Sequence, residues 1–100
     1  MRYIELKYQS KTYTNESEIN DILREQNFYW LIDSEIENAQ LEIKNKTLIW
    51  NNGSFFTGDW YYGIFKEGSF YGNWENGIWE NGNFGGKWED GVNLLQDIKK

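Results

Sequence analysis

Polar and apolar residues alternate in one rhythm up to about residue 47 and in another beyond it. Ile4, Leu6 and Tyr8 alternate with Glu5 and Lys7, the period of a half-buried strand. A second short strand covers Lys11 to Thr14. Asn15 stands three residues before Glu18, the spacing of a helix-starting cap. Its side-chain oxygen can accept an orphan backbone N–H, and the acid meets the positive helix end. Ile19, Ile22 and Leu23 form one narrow apolar stripe, which predicts a helix of about three turns to residue 26. Phe28-Tyr29-Trp30-Leu31-Ile32 is a compact aromatic and β-branched run and predicts a strand buried on both faces. Leu41-Glu42-Ile43-Lys44 and Thr47-Leu48-Ile49-Trp50 flank Asn45-Lys46, a two-residue hairpin turn. That register sets Ile43 opposite Leu48 and Leu41 opposite Trp50, all on one face.

After residue 47 the chain repeats. All ten glycines lie between Gly53 and Gly91, and five of the six tryptophans between Trp50 and Trp88. Copies start at 49, 64 and 78, and Val92 begins a fourth that decays into Asn93-Leu94-Leu95, so the periods are 15, 14 and 14. The unit reads Ile-aromatic-x-(Asn/Glu)-Gly-(Ser/Asn)-Phe, then Gly-x-Trp-x-x-Gly. Phe70, Gly72 and Trp74 share one face by alternation, and Tyr71, Asn73 and Glu75 take the other; Phe84, Gly86 and Trp88 repeat the pattern. The glycine between two aromatics leaves room for a neighbouring ring to lie across it. Asn76-Gly77 and Asp90-Gly91 favour tight hairpin turns, a register in which Trp74 pairs with Trp79. The predicted fold is mainly β: N-terminal strands and one short helix, then an antiparallel β-meander of three 14–15-residue repeats. A β-solenoid of the pentapeptide type is the alternative, because glycine precedes an aromatic by two residues about every five. The meander leads, since so short a coil has little interior for two or three large rings. The chain is read as one domain, 1–100, with an N-terminal β/α cap region to residue 47, repeats over 48–95 and a tail over 96–100.

Phe70-Tyr71-Gly72-Asn73-Trp74-Glu75-Asn76-Gly77 resembles the opening of a MORN repeat, aromatic-x-Gly-x-Trp-x-x-Gly, and Phe84 to Gly91 and Phe56 to Gly63 match the same pattern. The resemblance implies an antiparallel β-meander used in protein or lipid contact, without catalysis of its own. The family's longer spacing and its second-strand Gly-x-Gly are not found here. Repeats this short and this rich in Asn, Gly and Trp are also similar to those of phage-encoded proteins.

Charge narrows the partners. The formal net charge is −6, with nine acids against six bases over 1–48 and six against two over 49–95. A phosphate backbone needs clustered Lys or Arg, so direct nucleic-acid binding is not expected. A lipid surface is excluded on the same ground. Neither a signal-peptide core nor an apolar run of membrane-spanning length is present, so the expected compartment is the cytoplasm, that of the host if the protein is viral. Histidine and cysteine are both absent, which removes the commonest general base, the thiol nucleophile and most transition-metal sites. Disulfides are excluded with them.

What chemistry is left rests on carboxylates and rings. Glu75 and Glu89 occupy equivalent positions in successive repeats and could align as a glycosidase pair does, but acids on a solvent face normally serve solubility and edge protection. Asp59 reads as surface, Gly85-Gly86 as close packing, and no calcium-loop pattern occurs. Trp60, Trp74 and Trp88 either form the core or make an open ladder for sugars or a protein partner. The expectation is a non-catalytic acidic protein-interaction module without cofactor or metal, an inhibitor that occupies a basic, nucleic-acid-binding surface of its target. Its contacts are expected at Trp60, Trp74, Trp79, Trp88, Tyr71, Glu75, Glu80 and Glu89. Two rivals remain: a carbohydrate-binding module, and a piece of a larger phage assembly or homo-oligomer joined through a sheet edge or the aromatic face.

Overall fold

The computed structural model of the chain describes residues 1–94. Residue 95 and the tail expected over 96–100 lie outside the described residues. β1 (Tyr3–Tyr8) and β2 (Lys11–Tyr13) are antiparallel and meet at Gln9-Ser10, whose φ values of 51° and 64° match the twist of paired strands. α1 (Glu16–Glu25) starts where the cap pattern puts it, with the Asn15 side chain accepting the Glu18 N–H at 3.0 Å. Ile19 and Leu23 are buried and Ile22 partly so.

The run from Phe28 to Ile32 is a single helical turn, α2 (Tyr29–Ile32), and not the expected strand. Asn27 ends α1 with a left-handed φ of 67°, and Phe28 and Leu31 are then buried together at helical spacing. The turn also carries Trp30 onto the repeats, where it meets Trp60 edge to face at 5.2 Å.

β3 (Glu35–Lys44) and β4 (Thr47–Thr57) form the expected hairpin. Asn45 and Lys46 have φ of 51° and 62°, and Leu41 pairs with Trp50 and Ile43 with Leu48. β1 lies parallel to the other edge of β3, with Leu6 against Leu41.

β4 opens a three-sided coil. Its residues 49–50 make one side and 54–55 the next, and β5 (Asp59–Trp60) makes the third. β6 (Ile64–Phe65), β7 (Ser69–Phe70) and β8 (Asn73–Trp74) form the second coil. β9 (Ile78–Trp79), β10 (Asn83–Phe84) and β11 (Lys87–Trp88) form the third, and β12 (Val92–Asn93) starts a fourth. Every pairing between coils is parallel and in register, Asp59 with Asn73 and Asn73 with Lys87 among them. Of the two arrangements weighed from the sequence, the repeats take the β-solenoid. Trp74 pairs with Trp60 and Trp88, and Trp79 with Phe65, which replaces the expected Trp74–Trp79 hairpin pair.

Interior space is found by stacking rings flat along the axis. Trp50, Phe65 and Trp79 form one column, Phe55, Phe70 and Phe84 a second, and Trp60, Trp74 and Trp88 a third. Phe65 and Trp79 lie 4.5 Å apart and 9° from parallel, and Trp60 and Trp74 5.2 Å and 7°. Columns meet edge to face, as Trp60 does Phe65 at 5.8 Å and 76°. Hiding one such ring contributes about 4–6 kcal/mol at most. A favoured hairpin turn contributes on the order of 1 kcal/mol, so ring packing decides the topology against turn preference. The Asn-Gly and Asp-Gly pairs become corners. Gly77 has φ +128°, while the Asn76 side chain accepts the Gly77 N–H at 2.8 Å.

The N-terminal end of the ring columns is covered by β3 and by Trp30. At the other end, among the described residues, no strand lies beyond β10, β11 or β12. Phe84 is accordingly 36% exposed where Phe70 is fully buried.

Candidate functional site

The solenoid divides the expected contact residues into inside and outside. Trp60 and Trp74 are fully buried and Trp79 nearly so, and Trp88 is half-buried on the third coil. Trp60, Trp74 and Trp79 are therefore core. Tyr71 is exposed and stacks on Phe56 at 6.3 Å, around the corner from Glu75. Glu80 follows Trp79 on the first side, its N–H bonded to the Phe65 carbonyl at 2.8 Å. Glu75 and Glu89 follow Trp74 and Trp88 on the third side, with N–H bonds of 2.8 Å to the Trp60 and Trp74 carbonyls. The structure thus brings Glu75 and Glu89 together and sets Glu80 elsewhere.

The third side makes one continuous outer face. Parallel register places Tyr61, Glu75 and Glu89 in one column, and Tyr62, Asn76 and Asp90 in the next. Asp59 and Asn73 lie on the same strands, joined by a 3.0 Å bond from the Asn73 amide to the Asp59 carboxylate. Lys87, the next residue of that column, pairs with Glu89 at 3.6 Å. Tyrosines occupy the first coil where acids and amides occupy the later two.

At its upper edge this face meets α2. Tyr29, Tyr61 and Tyr62 are 59%, 46% and 43% exposed and gather at this corner. Trp30 lies beneath them, 5.9 Å from Tyr61 and 5.8 Å from Tyr62. Phe28 backs Tyr62 at 5.5 Å, so the cluster rests on core rings. A cleft of about 510 Å³ runs between Asn27, Tyr29, Trp30, Tyr61 and Tyr62. A smaller cavity of about 170 Å³ shares Tyr29, Trp30 and Tyr61 and adds Asp33, Ser34, Gly58 and Asp59. Sequence reasoning missed Tyr29, Tyr61, Tyr62, Asp33 and Asp90. The available signal was the repeat alignment, in which Tyr61-Tyr62 replaces the Glu75-Asn76 and Glu89-Asp90 of later copies.

A larger concavity, about 820 Å³, lies between the two hairpin turns. Lys7, Lys11, Lys44 and Lys46 line it, and Lys7 and Lys44 face Glu5 and Glu42 at 3.8 and 3.7 Å. Among the described residues no three His, Cys, Asp or Glu side chains gather as a metal site would need, and no helix is long and apolar enough to cross a membrane.

In comparisons with protein families, curated proteins and solved structures, the chain matches none.

Proposed function

We propose that the protein is a non-catalytic binding module whose solenoid face of tyrosines and carboxylates docks on a basic surface of another protein. The observation that supports this most directly is the single column Tyr61, Glu75, Glu89 beside Tyr62, Asn76, Asp90. Exposed tyrosines on a rigid backing give large contact area at low entropic cost, the property that enriches them at interface hot spots. Carboxylates at the inter-strand spacing of about 4.8 Å form a row that steers and orients a cationic partner. Where the basic surface is one that binds nucleic acid, occupying it makes the protein an inhibitor. A carbohydrate module is less favoured, because Trp60 and Trp74 of the ladder it would use are buried.

Affinity capture from the cells that make the protein, run with the wild type beside Glu75→Lys/Glu89→Lys, tests this. Both residues lie on the outer face, so the fold is expected to survive. The expected result is a protein with a basic surface that the wild type retains and the variant loses, with retention falling as salt screens the charges. Identical capture by both chains would count against the reading.

A further inference from the structure

We propose that the cavity between α2 and the first coil is the seat for one arginine side chain of that partner, held between tyrosine faces and two carboxylates. The inference rests on the binding reading above and names its anchor. Exposed Tyr29 and Tyr61, buried Trp30 and the carboxylates of Asp33 and Asp59 line the cavity together. Among the described residues Asp33 is exposed and makes no ion pair, and Asp59 is half-buried and accepts a bond from the Asn73 amide. A guanidinium is planar and weakly hydrated, so it can stack on a tyrosine face while its N–H fork reaches a carboxylate. An ammonium is compact and strongly hydrated and gains less from both contacts. The remaining width of the cleft, along Tyr62 and Asn27, accommodates the residues flanking the arginine. From there the partner chain would run onto the column of Glu75 and Glu89.

The walls are fixed independently of any ligand. Trp30 is held by Phe28 at 6.2 Å and by Trp60 at 5.2 Å. Ser34, at the base, donates its hydroxyl to the Trp30 carbonyl at 2.8 Å. Gly58 closes the base against Ser34, where a Cβ would come within 2.3 Å of the serine oxygen. A site built on core packing is ready before the ligand arrives, which lowers the entropic loss on binding.

The test is an NMR titration of the full chain at low salt with a Gly/Ser peptide carrying one arginine among lysines. The same peptide with citrulline, the neutral isostere, or with lysine in place of that arginine is the control. The arginine peptide should move the Trp30 indole N–H and the amides of Asp33, Asp59 and Tyr61. Citrulline, Asp33→Asn or Tyr61→Ala should each weaken binding by about tenfold. Equal binding of the citrulline peptide, or shifts confined to Glu75, Glu89 and Asp90, would overturn the arginine seat while leaving the acidic face in place. Shifts at the cleft that survive Glu75→Lys/Glu89→Lys would support the seat and remove the column from the interaction. Asp33 and Tyr61 are exposed, so both variants keep the fold, which an unchanged amide spectrum elsewhere verifies.

Discussion

Gly68 and Gly85 look alike in the sequence and differ in what they permit. Gly68 has φ +126°, and a Cβ there would come within 2.1 Å of the Gly53 carbonyl oxygen on the coil below. Gly85 has no such φ, and its Cβ would meet only the edge of the exposed Tyr71 ring. Gly68→Ala should therefore lower stability by about 2–4 kcal/mol, and Gly85→Ala should stay within about 1 kcal/mol of wild type, both read from urea denaturation. The ring columns make a similar contrast. Trp74 is sandwiched between Trp60 and Trp88 at 5.2 Å on each side, so Trp74→Ala should lose about 3–5 kcal/mol. Trp88, half-buried with one stacked neighbour, should lose about half of that on the same measurement. Tyr3 contributes a pH dependence. Burial lifts its phenol above the ordinary value near 10, so the folded state favours the protonated form. A raised folded value gives stability that is complete below the unfolded value and lost as pH rises through the folded one. Urea midpoints should fall above about pH 10, and Tyr3→Phe should remove part of that fall while lowering stability at neutral pH by about 1 kcal/mol through loss of the Tyr3 hydroxyl bond to Asn20.

The two hairpin turns show how a short element can be improved without touching a contact. Lys46 holds a left-handed φ of 62°, which is unfavourable for a side chain by about 1 kcal/mol. Lys46→Gly should raise stability by about 0.5–1 kcal/mol, with the β3–β4 register intact by NMR. That hairpin was legible in the sequence because alternation on both flanks and a two-residue turn define one register. α1 was legible for the same kind of reason, a cap followed by a stripe. α2 was not, because five apolar residues are too few to distinguish period 2 from period 3.6. The repeats were legible as repeats and ambiguous in their pairing. Asn76-Gly77 read alone is a hairpin signal, yet the equivalent dipeptides along the coil include Glu67-Gly68. A glutamate does not favour the left-handed position a tight hairpin would impose, and its carboxylate instead accepts the Gly68 N–H at 3.0 Å. At four corners a side-chain acceptor precedes the glycine, and Asn, Asp and Glu all supply it. Of the candidate site, Glu75 and Glu89 were legible as equivalent repeat positions. The tyrosine cluster was not, since α2 completes it from a different part of the chain.

Over the whole molecule, stability and binding follow from one stacking direction. Each coil touches only its neighbours, so duplicating residues 64–77 directly after Gly77 should extend the columns by one ring each. Such a variant should melt at a higher temperature than the wild type, whereas an antiparallel meander would gain an unmatched hairpin and no interior stack. The same register assembles the outer face, because only parallel in-register coils put Tyr61, Glu75 and Glu89 in line and leave the tryptophans inside. A NOESY spectrum of the labelled chain tests this most directly. Backbone contacts are expected between residues one coil apart, Asn73 with both Asp59 and Lys87, together with ring contacts along Trp60, Trp74 and Trp88. Strong Hα–Hα contacts across a Trp74–Trp79 hairpin pair, with none between Asn73 and Lys87, would contradict it.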